Sequence, residues 1–417
     1  MIELSVPQHI LKRQIQLPGS KSISNRLLIL NEILKLDLNF EGLSDAEDTQ
    51  LLKKALRHLK GKKEATIDIH HAGTDMRFLT AYLSVNEGEW ILTGSERMKQ
   101  RPIGELVSAL RLLGADITFT EKKKFPPLLI RGKKLLGGKI EIDSSVSSQF
   151  ISALLLIAPE FENGLEVALR GNTVSKPYID MTIALLSDFG VKISQSENII
   201  SISSSLKNNP TPSFRIETDW SCASYWYSIC ALSENSEIEL MGLKKESLQA
   251  DSVLPEIFKN LGVNTTFKDN SVLLNSIKPV LTEFTYDFTN CPDIAQTLVV
   301  TCFGLGIKSD FTGLSTLKVK ETDRIFALRT ELEKFGAKLE TTSNSIHLTA
   351  ASVQNKKSGP SDNIIRTYND HRMAMSFAPI ALIYRTIKIE TPSVVIKSYP
   401  SFWEDLKSVG FNVNLLP

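Results

Sequence analysis

The sequence predicts an α/β (α+β) protein assembled from a repeated unit, with three copies in each of two domains. The first observation is a glycine period. An apolar residue, Gly, a small or apolar residue and a polar residue, then a β-like run, recur as LGAD at Gly114, FGVK at Gly190, LGVN at Gly262, FGAK at Gly336 and VGFN at Gly410. The intervals are 72 to 76 residues, and a fixed period of that size marks a repeat architecture. The second observation is a degenerate earlier copy ending at Gly61, only 53 residues before Gly114. The shortened unit between Gly61 and Gly114 is expected to have lost a strand pair. The third is a turn-rich break, SSSLKNNPTPS at residues 203–213, after the third copy. A length of 417 residues also exceeds one ordinary core and suits two domains of roughly 200 residues.

Each closing glycine follows a helical run such as ELVSALRLL or DRIFALRTELEKF. A left-handed residue past the last turn stops a helix at least cost when it has no Cβ. Strands such as IISIS and SIHLT follow. Every copy also has an earlier helix, and the unusual residues collect at its start: PGSKSISNR, HHAGTDMR, SSVSSQF, DWSCASY, NCPDIAQ and NDHRM. The runs behind them are apolar, LLILNEIL, ISALLLIA and AMSFAPIAL among them. Ser44-Asp45-Ala46-Glu47, ahead of LLKKALRHL, reads as a capping box.

Composition excludes several classes. The hydrophobic fraction of 42% and charged fraction of 23% are those of a soluble globular protein. A net charge of +1 gives no field to recruit nucleic acid or an anionic membrane, so neither partner is expected. Cys222, Cys230, Cys291 and Cys302 show neither a CxxC nor zinc spacing. They read as buried thiols of a reducing compartment. The start MIELSVPQHILKRQ lacks the apolar core of a signal peptide, and the best apolar run, Phe150 to Pro159, falls far short of a membrane helix. A cytoplasmic location is expected. Phosphate-loop, dinucleotide, HExxH and nucleophile-elbow motifs are absent, so metal, nucleotide and covalent-serine chemistry lose support.

A helix N-terminus offers unpaired N–H groups and about half a positive charge, and anions settle there. Ser, Thr, Asp and Asn at one such start are ordinary caps. Aligned starts that also carry Lys21, Arg26, Arg77, His371 and Arg372 point further. Cations there oppose the helix dipole, and an external anion gives them a reason to be present.

The string LPGSKSISNRLLIL resembles the N-terminal signature of enolpyruvylshikimate-phosphate synthases, and HAGTDMRFL resembles their second signature. RMKQRPIGELVSAL, SSVSSQFISALLL, VSKPYIDMT, PDIAQT, KVKETDR, YNDHRMAM and KSYPSFWEDL match further segments in the family's order, over residues 17–406. The resemblance implies two domains, each of three βαβαββ units, with an active-site cleft between them. It puts the boundaries at 21–217 for one domain and 1–20 plus 218–417 for the other. It implies transfer of the enolpyruvyl group of phosphoenolpyruvate to the 5-hydroxyl of shikimate 3-phosphate, without cofactor or metal, by a monomer. Inhibition by glyphosate at the phosphoenolpyruvate site is a further implication.

Carried over motif by motif, the resemblance implies a phosphoshikimate site of Lys21, Ser22, Arg26, Ser147, Ser148, Gln149, Ser175, Tyr178, Asp293, Thr316 and Lys320. The phosphoenolpyruvate site would use Lys21, Gly73, Arg101, Gln149, Arg324, Arg372 and Lys397. Bidentate arginines suit a substrate carrying both phosphate and carboxylate. Asp293 would be the base on the hydroxyl, with Glu321 and Lys21 as alternatives for moving the methylene proton. This chain departs from the family at His71, Asp75, Phe78 and Thr316, where Asn, a small residue, Pro and Asn are usual; Asp75 stands close to an expected anion. The alternatives are the sister transferase acting on UDP-N-acetylglucosamine and a non-catalytic anion-binding scaffold. The first usually shows Lys-Asn where Lys21-Ser22 stands here, and a reactive loop cysteine. The second has no need of Lys21, Asp293, Glu321 and Arg372 together.

Overall fold

A computed structural model describes residues 1–6, 13–206, 213–349, 364–384 and 386–416; most of the expected break, at 207–212, lies outside the described residues. The chain divides into two compact units. The first is Lys21–Ser44 with Asp48–Ile216, and the second is Met1–Ser20, Asp45–Glu47 and Glu217–Pro417.

Strands β1 (Ile2–Ser5) and β2 (Arg13–Gln16) belong to the second unit, after which the chain enters the first through α1 (Lys21–Ile33), β3 (Asn39–Glu41) and α2 (Glu47–Leu59). Next come β4 (Glu64–Asp68), α3 (Gly73–Val85), β5 (Gly88–Thr93), α4 (Gly104–Leu112), β6 (Asp116–Phe119) and β7 (Leu128–Gly132). The same order follows in β8 (Gly138–Asp143), α5 (Ser148–Ile157), β9 (Leu165–Arg170), α6 (Lys176–Asp188), β10 (Val191–Gln195) and β11 (Ile199–Leu206). Each set is a parallel strand pair bridged by a helix, then a second helix and an antiparallel hairpin. The sheet orders are β4-β5-β7-β6 and β8-β9-β11-β10. Strand β12 (Ser213–Arg215) pairs in parallel with β3 as a two-stranded sheet. Between Gly61 and Gly114 the chain forms β4, α3, β5 and α4, with no hairpin after Gly61 like the one after Gly114.

The second unit repeats the order. It runs through α7 (Trp220–Leu232), β13 (Glu237–Met241), α8 (Leu254–Lys259), β14 (Val263–Lys268) and β15 (Ser271–Ser276). Then come β16 (Glu283–Asp287), α9 (Ala295–Leu305), β17 (Lys308–Thr312), α10 (Arg324–Lys334), β18 (Lys338–Thr341) and β19 (Ile346–Thr349). It closes with β20 (Ile364–Ile365), α11 (His371–Phe377), β21 (Thr386–Ile389), α12 (Phe402–Ser408) and β22 (Asn412–Leu415). The sheets are β14-β15-β13-β2, β16-β17-β19-β18 and β20-β21-β1-β22. Thus β1 and β2 complete sheets whose other strands come some 200 or more residues later. The two passes of the chain are pinned where Gly19 bridges Thr218, Ser20 N–H donates to the Glu217 carbonyl at 2.7 Å and Asp219 N–H donates to that of Pro18 at 2.9 Å.

All six closing glycines have positive φ, from 74° at Gly61 to 105° at Gly410. The opening helices pack together at the centre of each unit, α1, α3 and α5 in the first and α7, α9 and α11 in the second. In α7 every residue but Ser221 and Leu232 is buried, as expected of a helix that is apolar all round. Two local readings need correction. Ser44 is no N-cap: α2 begins at Glu47, and the Ser44 N–H bonds Ser24 Oγ at 3.0 Å. The apolar run after His371 is an α-helix only to Phe377, continuing as a 3-10 turn through Ala378–Leu382. Pro379 has no N–H to give the preceding turn.

Candidate functional site

In the first unit the predicted residues gather at the starts of the central helices. Lys21 opens α1, and its ammonium pairs with Asp48 of α2 at 2.9 Å. Gly73 opens α3, and the Arg101 guanidinium lies on its bare backbone. A Cβ at Gly73 would sit 2.6 Å from Nη2 and 2.7 Å from Cζ of that arginine. Arg77 staples both sides of this contact, donating from Nη1 to the Gly73 carbonyl at 2.8 Å and from Nη2 to the Pro102 carbonyl at 3.2 Å. Gln149 in the first turn of α5 donates to Thr74 Oγ1 at 3.1 Å. Ser147 caps α5, its hydroxyl accepting from Gln149 N–H at 3.3 Å, with Ser148 next in the chain. Ser175 takes a left-handed conformation, φ 54°, at the start of α6, and its carbonyl accepts from Tyr178 N–H at 3.1 Å.

Arg26 is enclosed rather than presented. It donates to Thr182 Oγ1, the Ser22 carbonyl, Ser152 Oγ and the Tyr178 carbonyl at 2.8, 2.8, 3.3 and 3.1 Å. The Phe78 ring lies 5.4 Å away, and burial pulls the guanidinium down to about 10. Arg26 thereby ties down the backbone of Ser22 and Tyr178. Asp75 faces inward too: Oδ1 accepts from Asn25 Nδ2 at 2.7 Å, and Asn25 Oδ1 accepts from Thr49 at 2.7 Å. Asp75, expected to stand close to an anion, therefore braces α3 against α1.

The second unit gathers the remainder. Asp293 lies in the 3-10 turn Pro292–Ile294 ahead of α9. Its Oδ1 is 3.5 Å from both Lys320 Nζ and Arg324 Nη1, and its Oδ2 is 3.0 Å from Arg372 Nη2. Glu321 stands between Arg324 Nη2 at 2.9 Å and Lys397 Nζ at 3.6 Å. Arg324 is anchored from below by Asp370, 2.7 Å from Nε and 3.4 Å from Nη2, while Asp370 also caps α11. Burial works against the Arg324 charge, but Asp370 and Glu321 outweigh it and keep the guanidinium protonated. Nη1 is held to Asp293 as an ion pair and makes no hydrogen bond among the described residues. Thr316 Oγ1, in the turn Ser315–Val319, is buried without a hydrogen-bond partner among the described residues. Four cations thus meet the carboxylates of Asp293, Glu321 and Asp370, an arrangement that can bind anions and move a proton at Asp293.

Sequence reasoning missed Asp48 and Asp370. Asp370 had a positional signal, a carboxylate one place before a helix start, whereas Asp48 is one of several charges on an amphipathic helix.

A model of the EPSP synthase (3-phosphoshikimate 1-carboxyvinyltransferase) family matches residues 61–406. The chain is 47% identical over 416 residues to the 3-phosphoshikimate 1-carboxyvinyltransferase of Bacteroides fragilis, covering 99% of this chain and 98% of that protein. It is 37% identical to the enzyme of the same name from Buchnera aphidicola subsp. Cinara cedri, over 98% and 97% of the two chains. The fold is similar to the solved EPSP synthase of Acinetobacter baumannii, with a TM-score of 0.76 at 22% identity over the full length of both chains.

Proposed function

The chain belongs to the EPSP synthase family and transfers the enolpyruvyl group of phosphoenolpyruvate to shikimate 3-phosphate in aromatic biosynthesis, and from that premise we propose how its own residues do so. Transfer to UDP-N-acetylglucosamine is not favoured. Asp293 removes the proton of the 5-hydroxyl, and the observation carrying this role is the convergence of Lys320, Arg324 and Arg372 on its two oxygens. Three cations hold the carboxylate in its basic form and stabilise the charge it hands over. Arg324, Arg372, Lys397 and Arg101 bind the phosphate and carboxylate of phosphoenolpyruvate, with Gly73 giving Arg101 its seat. Ser147, Ser148, Gln149, Ser175 and Tyr178 bind phosphoshikimate. Arg26 serves it indirectly, through the backbone of Ser22 and Tyr178. Thr316 and Lys320 face the acceptor. Glu321 and Lys21 both remain candidates for the methylene proton: each is a titratable group held by a defined partner, Arg324 and Asp48 respectively.

Proton delivery to the methylene carbon, with attack of the 5-oxygen on the carbon that bears the phosphate, forms a tetrahedral intermediate; loss of that phosphate together with one proton of the new methyl group restores the double bond. The monomeric state and cytoplasmic location are part of the proposal. Among the described residues no helix is long and apolar enough to cross a membrane. The test is phosphate release from the two substrates by the parent and by Asp293→Asn. Removing a general base costs about 10²–10⁴-fold in turnover, with phosphoenolpyruvate binding much less affected. A variant that turns over at the parental rate sinks the assignment.

A further inference from the structure

Near the Asp293 cluster is a carboxyl that none of these steps uses. Asp251 sits in the 3-10 turn Ala250–Val253 leading into α8, with 2% of its surface exposed. Ser221, in the first turn of α7, donates its hydroxyl to Oδ2. Oδ1 has no hydrogen-bond partner among the described residues. A carboxylate with a dry, unpartnered oxygen is strongly disfavoured, whereas the neutral acid carries its proton there.

The groups around it come from every packed element. Ser221 and the capping Asp219 belong to α7, Asp293 precedes α9, Arg372 lies on α11, and Tyr286 and Cys291 lie on and after β16. Glu256 of α8 reaches Tyr286. Burial pushes Cys291 up to about 12 and Tyr286 well above its usual value, so both stay neutral. For Asp251, burial and then the Asp293 charge push the group up to about 7, while Ser221 and Arg372 pull it down. Its charge is therefore open to change in the working range of pH.

We propose that Asp251 is a charge-compensating residue for the neighbouring site, taking a proton onto Oδ1 when substrate anions bind and shedding it when they leave. The proposal rests on reading Arg372 and Asp293 as site residues. In the empty protein the Arg372 charge favours ionised Asp251. A bound phosphate or carboxylate offsets that charge, and Asp251 then draws one proton from solvent, forming an O–H bond at Oδ1. The neutral acid leaves Asp293 as the anion that Arg372 serves, which makes Asp251 a positioning residue for the base.

The sign is fixed: binding of anions takes up protons near pH 7. Calorimetry of the full chain with shikimate 3-phosphate, then glyphosate added to that complex, in buffers of different ionisation enthalpy, counts them. The parent is expected to take up a fraction of a proton more than Asp251→Asn, which keeps an acceptor for Ser221. Ser221→Ala removes the bond that favours the ionised form and moves the uptake maximum to higher pH. This second variant decides the matter if Asp251→Asn does not fold. A merely structural Asp251 leaves the proton count untouched. Equal uptake by parent and Asp251→Asn, or an unmoved maximum in Ser221→Ala, overturns the proposal. Arg372→Gln separates the two readings: parental affinity for both ligands in that variant sinks the site assignment itself.

Discussion

A guanidinium resting on bare backbone, as Arg101 does on Gly73, leaves no room for an added carbon. The atom a methyl would meet is the end of a side chain, so Arg101 can swing away, but only by leaving the position proposed for binding an anion. Overpacking of this kind costs about 1–3 kcal/mol, or roughly 5- to 150-fold in affinity. Gly73→Ala is accordingly expected to raise the KM for phosphoenolpyruvate together with the inhibition constant for glyphosate. A rise in the inhibition constant alone would place the methyl against the inhibitor and leave Arg101 out of the account. Lys21, Asp293, Glu321 and Arg372 stood out as candidates because they stand in ordered motifs. Asp251 and Asp48 did not: one carboxylate among 47 acidic residues carries no signal until its partner, 27 to 30 residues away along the chain, is known.

Among the elements, α3 shows what a helix start needs. Its N-cap is Ala72, with no side-chain cap. The bracing comes instead from Asp75, through Asn25 to Thr49, joining α3, α1 and α2 by two bonds of 2.7 Å. Asp75→Ala leaves the Asn25 amide without that partner inside the core, a loss of about 1–3 kcal/mol. The urea midpoint is expected to fall, and an unchanged midpoint would mean that the bond contributes nothing net. In the sequence Asp75 read as a carboxylate near an anion. In the first turn of a helix, residues one apart point to different faces, so spacing alone could not assign Asp75 to the core. The closing glycines carried their signal plainly, because a left-handed turn after a helix selects Gly on steric grounds at all six places.

For the whole molecule, the repeat period announced six related segments, but the exchange of strands did not follow from it. The exchange depends on which sheet β1 and β2 join, and four-residue strands carry too little pattern to tell. Strand β1 lies between β21 and β22, with Ile2 opposite Ile389 on one side and Leu415 on the other. Deleting residues 1–6 removes the middle of that sheet and strands β22 without a neighbour. Hydrogen exchange is expected to show protection lost in β21 and β22 while α3 and α5 keep theirs. Loss of equal extent in both units would refute a separate core for each.

The pairing of Ile2 with Leu415 also sets a timetable for the growing polypeptide. At about 5–20 residues per second, translation separates the two residues by roughly 20–80 s. The segment from Lys21 to Ile216 has all its strand partners well before synthesis ends, and it can fold while the ribosome is still at work. Strand β1 spends nearly all of that interval without either partner strand, a ready template for a neighbouring nascent chain. Residues 2–5 are thus made long before they are protected, and crowding of nascent chains is expected to favour misassembly at that edge.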